Sequence, residues 1–121
     1  MRIAIVDDLA KERASLHLQL GQILNLRSVC AEILEYESGE AFLAAEKKQR
    51  FTAAFLDIYM DGMSGMDAAR ELRKMDTDCM LVFTTTSTDH ALEGFQVRAM
   101  HYLVKPFSTE ELERLTDEML A

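Results

Sequence analysis

Three short apolar runs, each followed at once by polar residues, constrain the fold of this chain most strongly. The runs are residues 3–6, 53–56 and 80–83. The polar residues that follow them are Asp7 and Asp8, Asp57, and Thr84 to Thr86. Apolar runs of this length that end in polar or turn residues are typical of strands buried on both faces of a parallel sheet. Because such strands end at one edge, where open α/β folds bind ligands, the pattern predicts a functional centre there.

Segments with helical periodicity separate these runs. Predicted strands are 2–6, 30–36, 53–57, 79–83 and 100–104, and predicted helices are about 10–25, 38–50, 64–75, 90–97 and 108 onward. Glu32 and Glu35 mark the second strand as an edge strand. Ala41, Phe42 and Ala45 are expected to face inward from the second helix. Five strand–helix repeats predict a single α/β domain with a parallel sheet and helices on both faces.

The last helix has the clearest predicted start. Ser108 and Glu111 have the spacing of a capping box, in which the serine hydroxyl accepts a backbone N–H bond. Phe107 and Leu112 occupy the two positions of a hydrophobic staple. The helix is therefore expected to begin next to Ser108.

Composition limits the possible partners of the chain. The formal net charge is −8 over 121 residues, which disfavours direct binding to nucleic acid and favours a divalent cation or a basic protein surface. No apolar stretch approaches the roughly 20 residues that a membrane span needs, and no signal-peptide pattern follows Met1. Cys30 and Cys79 lack metal-ligand spacing. We therefore expect a cytoplasmic protein with no membrane partner.

The predicted edge gathers acidic and cationic groups. Asp7, Asp8 and Asp57 would repel one another if bare, and carboxylate oxygens are the ligands that Mg²⁺ prefers. Each aspartate alone could simply end a strand or cap a helix, but three at matching strand ends favour a metal site. An aspartate can also accept a phosphoryl group as an acyl phosphate, with Lys105 as the cation and a hydroxyl of Thr84 to Thr86 as the donor.

These residues carry a family resemblance. Together Asp7, Asp8, Asp57, the threonine run, Tyr102, Lys105 and Pro106 resemble the receiver domain of bacterial two-component response regulators. Residues 89–107 further resemble receivers of the LytR/AlgR type, which usually precede a separate DNA-binding domain. The resemblance implies a doubly wound (βα)5 flavodoxin-like sheet with strand order 2-1-3-4-5. It also implies that residues 1–121 form one receiver domain and that the output domain is absent from this chain.

The resemblance implies roles for the site residues. Asp57 would accept a phosphoryl group from a sensor histidine kinase. Asp8 would bind Mg²⁺ directly, with Asp7, Asp57 and the backbone carbonyl of Tyr59 completing the metal site. Lys105 would pair with the phosphoryl oxygens, and the peptide bond that follows it would be cis.

The same resemblance implies a switch. Thr85 aligns with the switch hydroxyl and Tyr102 with the switch aromatic. Phosphorylation would change the surface formed by the fourth helix, fifth strand and fifth helix, which would control transcription through the missing DNA-binding domain and could form a homodimer. Asp61 stands where the family usually has proline, so the turn geometry and the metal affinity are left open.

Three alternatives use the same residues differently. A phosphatase of the haloacid-dehalogenase type needs a second aspartate two residues after the nucleophile, where this chain has Tyr59. A flavodoxin-like FMN binder needs a phosphate-cradling loop after the first strand, where this chain has Asp7 and Asp8. A phosphate-independent interaction module would not need the complete acidic and cationic set. We therefore expect a signalling domain that is no enzyme beyond its own phosphorylation and dephosphorylation.

Overall fold

Five strands alternate with five helices in the computed structural model, which describes residues 1–86 and 91–121. The strands are β1 (Arg2–Val6), β2 (Glu32–Tyr36), β3 (Ala53–Asp57), β4 (Met80–Thr85) and β5 (His101–Val104). The helices are α1 (Ala10–Leu26), α2 (Gly39–Lys48), α3 (Gly65–Met75), α4 (Ala91–Gln96) and α5 (Thr109–Leu120). The alternation predicted from the sequence is confirmed.

The strands form one parallel sheet in the order β2-β1-β3-β4-β5. Every residue of β3 is buried, whereas β2 at the edge has no fully buried residue. This difference follows from the sequences, because β3 is almost wholly apolar and β2 carries Glu32 and Glu35. The predicted fold class and strand order are confirmed.

Helices cover both faces of the sheet. Leu56 and Phe83 point to the face where Phe42 of α2 and Leu72 of α3 complete one apolar cluster. The opposite face carries a second cluster, to which Phe55 contributes together with residues of α1 and α5. Since successive strand side chains alternate between faces, the continuous apolar runs supply both clusters at once.

Some local predictions were wrong. Ala41 is exposed, and the inward stripe of α2 is instead Gly39, Phe42, Leu43 and Glu46. These positions follow the i, i+3, i+4, i+7 spacing of one helix face, which excludes position 41. β2 begins two residues later than predicted, at Glu32, and β4 continues two residues past Phe83 to Thr85. The predicted start of α4 at His90 lies outside the described residues.

The start of α5 is confirmed in part. The Ser108 hydroxyl accepts a hydrogen bond from the Glu111 N–H at 3.1 Å, and Phe107 packs against the cluster that contains Leu112. Replacing Ser108 with alanine should lower the free energy of unfolding by about 1 kcal/mol, because one N–H of the first turn loses its acceptor. Urea unfolding checks this, with Ser108→Asp as the control that keeps an acceptor. Equal losses in both variants would contradict the capping role.

No helix in the described part of the chain combines the length and the apolar character that crossing a bilayer requires.

Candidate functional site

The parallel order brings the polar strand ends to one edge of the sheet. Asp7 directly follows β1, Asp57 is the last residue of β3, and Lys105 directly follows β5. In the register of the sheet Asp57 lies opposite Thr84, near the end of β4. The structure thus brings together side chains that are up to 98 residues apart along the chain.

Three carboxylates converge at this edge. Asp7, Asp8 and Asp57 each place one oxygen within 4.8 Å of the others. Asp7 and Asp57 are only 4% and 5% exposed, whereas Asp8 is half-buried and opens toward solvent. Clustered carboxylate oxygens that keep one open side suit a hard divalent cation that retains water ligands. The donor set therefore fits Mg²⁺.

Lys105 supplies the cation of the site. Its Nζ lies 2.9 Å from Asp7 Oδ2 and 3.8 Å from Asp57 Oδ2. The Lys105 main-chain N–H donates to the Thr85 carbonyl at 2.6 Å, and the bond to Pro106 is cis. Burial lowers the pKa of Lys105, but the hydrogen bond to Asp7 and the charges of both carboxylates outweigh burial and raise it overall. The ammonium group is therefore held charged between the two carboxylates.

Burial dominates the electrostatics of Asp57. Removal from water raises the pKa of its carboxyl to about 6, and the charge of Asp7 adds to this effect. Lys105 and the hydrogen bond from the Tyr59 N–H, at 3.3 Å, oppose it. The nearby ammonium thus compensates the negative charge at this edge only in part, which leaves room for a second cation.

The start of α3 packs directly on the end of β3. The Gly65 N–H donates to the Ile58 carbonyl at 2.9 Å. A Cβ at Gly65 would lie 2.1 Å from the Asp57 carbonyl oxygen, so only glycine fits there. From the sequence, Gly65 could be placed only in the first turn of the helix predicted at 64–75. No sequence signal revealed its contact with the strand that carries Asp57.

Comparison with known proteins agrees with the resemblance seen in the sequence. The response regulator receiver domain family matches residues 3–117. This chain belongs to that family. It is 34% identical over 116 residues to the sensory transduction protein LytT of Bacillus subtilis, a match that covers 94% of this chain and 46% of the relative. It is also 34% identical to the positive alginate biosynthesis regulatory protein of Pseudomonas aeruginosa, over 93% of this chain and 44% of the relative.

A solved structure agrees in fold. The response regulator TrrA from Thermotoga maritima, crystallised in complex with Mg²⁺-BeF, is 29% identical, with a TM-score of 0.83 over 98% of this chain and 97% of that one. The receiver domain described here spans about half the length of the curated relatives it matches. The resemblance to receivers of LytR/AlgR-type regulators in two-component signalling is confirmed. Receiver domains are signalling domains.

The two residues predicted to form the switch lie on β4 and β5. Thr85, at the end of β4, is fully buried. The Tyr102 ring on β5 is partly buried and lies 5.8 Å from the Phe83 ring, measured between centroids. Tyr59, whose carbonyl was predicted as a metal ligand, is 47% exposed, and its N–H donates to Asp57 Oδ1. Their roles in binding and switching stay predictions.

Proposed function

We propose that this receiver domain accepts a phosphoryl group on Asp57 from a phosphohistidine of a sensor histidine kinase. The observation that carries the proposal is the convergence of Asp7, Asp8 and Asp57 around the ammonium group of Lys105. A buried carboxylate beside a fixed cation and two further acidic ligands is suited to accept an anionic group only if the added charge is neutralised. The receiver family and the Mg²⁺-BeF complex of TrrA support this use of the site.

The proposed transfer forms one bond and breaks another. A carboxylate oxygen of Asp57 bonds to phosphorus as the bond between phosphorus and the histidine nitrogen breaks, and that nitrogen keeps the electron pair. Lys105 Nζ, now 3.8 Å from Asp57, lies within reach of the added phosphoryl oxygens. Mg²⁺, when bound, neutralises charge on these oxygens. Asp7, Asp8, Asp57 and the Tyr59 carbonyl would hold it.

The proposed output is a change in the surface formed by α4, β5 and α5. Phosphorylation adds about −1.5 to −2 charge units and strong acceptor oxygens, toward which the Thr85 hydroxyl can turn. Rotation of Tyr102 would then alter β5 and α4, a shift between two packings of the same chain. Phe95 is 79% exposed and Val104 37% exposed on this surface, which supports its use in docking. The surface formed by α4, β5 and α5 would also be the contact between the two chains of a homodimer.

The chain context fits a role in transcription. The curated relatives are about twice as long as this chain. We propose that residues 1–121 are the receiver domain of such a regulator and that DNA is bound only by an output domain outside this chain. The net charge of −8 supports indirect rather than direct DNA binding.

Asp57→Asn tests the function directly. The domain is incubated with acetyl phosphate and Mg²⁺, and the added phosphoryl mass is measured by intact mass spectrometry. Wild type should gain one phosphoryl group, and Asp57→Asn should gain none, because the amide oxygen cannot form the acyl phosphate. Asp67→Asn, which removes an exposed carboxylate from α3, is the matched control and should be phosphorylated normally. Labelling of Asp57→Asn to the wild-type level would refute the proposal.

A further inference from the structure

Asp8 is held differently from the other two carboxylates of the site. Asp7 and Asp57 both lie beside Lys105 Nζ, whereas the Asp8 side chain has no ion pair among the described residues. Its hydrogen bond in this part of the chain comes from the main-chain N–H of Asp61, which donates to Asp8 Oδ2 at 3.0 Å. The orientation of the most exposed of the three acids therefore depends on a backbone group.

The position of that backbone group is set by the loop between β3 and α3. Asp61 lies 53 residues from Asp8 along the chain. Gly62, the next residue, has a φ of +77°, a conformation that glycine adopts without steric cost. The loop is closed by the bond from the Gly65 N–H to the Ile58 carbonyl. The direction of the Asp61 N–H is thus a property of the loop, while the Asp61 side chain is exposed.

A single N–H bond leaves a carboxylate able to bind a metal. An ionised carboxyl group offers about four lone-pair sites on its two oxygens, so Asp8 retains free sites after accepting from Asp61. A ligand already held in one orientation loses less rotational freedom when a cation binds. Carboxylates that ligate metals are commonly held by such hydrogen bonds, and loss of the partner weakens metal affinity.

We propose that the main-chain N–H of Asp61 is a positioning group that orients the Asp8 carboxylate for a divalent cation. The Asp61 carboxylate has a separate and smaller effect, since its exposed charge adds only to the local negative potential. This inference rests on the proposed Mg²⁺ site and names a further residue that shapes it. It assigns to position 61 a role that depends on its backbone and not on its side chain.

Two variants separate backbone from side chain. Asp61→Ala removes the carboxylate and keeps the N–H, whereas Asp61→Pro removes both. Mg²⁺ affinity is measured by isothermal titration calorimetry, with circular dichroism and thermal unfolding in EDTA confirming that each variant is folded. We expect Asp61→Ala to bind Mg²⁺ about two-fold more weakly than wild type. Asp61→Pro should bind about five-fold more weakly than Asp61→Ala, the change that corresponds to one lost hydrogen bond. Equal affinities of the two variants would overturn the proposal.

A second measurement does not depend on proline folding well. The Asp61 amide exchanges its proton slowly if Asp8 accepts it, so Asp8→Ala should accelerate exchange of that amide several-fold in NMR spectra. Unchanged exchange would also overturn the proposal. Failure of the proposed function looks different: the affinities would keep the expected order while Asp57 gained no phosphoryl group from acetyl phosphate.

Discussion

Replacing Gly65 with alanine is expected to lower the free energy of unfolding by about 3 kcal/mol or more. The added Cβ would lie 2.1 Å from the Asp57 carbonyl oxygen and 2.9 Å from Ile58 Cα, both of which belong to the backbone. Backbone atoms at the end of a buried central strand cannot rotate away as a side chain does. The first turn of α3 must therefore move off β3, and the bond from the Gly65 N–H to the Ile58 carbonyl is lost with it.

Gly21 provides the matched control for this substitution. A Cβ at Gly21, inside α1, would contact only Ile33 Cδ1 at 3.9 Å, an ordinary van der Waals distance. Because alanine is favoured over glycine in a helix interior, Gly21→Ala should raise the free energy of unfolding by up to about 1 kcal/mol. Urea unfolding of both variants gives the two values. A Gly65→Ala loss below about 1 kcal/mol would show that α3 shifts at little cost and would contradict the close packing.

Only part of the site could be predicted from the sequence. Asp7, Asp57 and Lys105 could be placed together because each ends a strand, and parallel strands bring their ends to one edge. The position of Asp8 can be predicted in the same way, but its hydrogen bond from the Asp61 N–H cannot. That contact depends on the path of the loop between β3 and α3, which no periodic pattern describes.

Packing between helix ends was also not predictable from the sequence. Glu46 lies beside two lysines near the end of α2, a pattern typical of a solvated face, yet it is 3% exposed. Its carboxylate accepts a hydrogen bond from the Phe51 N–H at 3.1 Å. Burial raises the pKa of Glu46, and the nearby charge of Asp76 raises it further. The Cys79 thiol lies within 4.8 Å of carboxylate oxygens of Glu46 and Asp76. Burial raises the pKa of this thiol to about 12. These neighbours come from the ends of α2 and α3 and the start of β4, which only the tertiary fold brings together.

Removing the charge of Asp57 is expected to stabilise the metal-free domain near neutral pH. Burial raises the pKa of this carboxyl from 3.8 to about 6 in the folded state. Between these two values the folded state binds more protons than the unfolded state, so stability falls as pH rises. Asp57→Asn has no carboxyl to ionise at this position, so its stability does not fall with pH for this reason. In EDTA it should exceed wild type in free energy of unfolding by about 2 kcal/mol at about pH 7.5 and by much less at about pH 4.5.

The difference in free energy of unfolding between wild type and Asp57→Asn reports on the Asp57 carboxyl, because every other carboxyl is present in both proteins. Urea unfolding across this pH range should therefore show a wild-type deficit that grows through about pH 6 and then levels off. Adding Mg²⁺ should reduce the deficit, since a cation that binds only the folded state stabilises wild type more than a variant with one ligand weakened. A pH-independent difference would mean that Lys105 already neutralises Asp57 in full. Folding would then leave the pKa of Asp57 near its unfolded value, and the expected gain in stability from removing its charge would be contradicted.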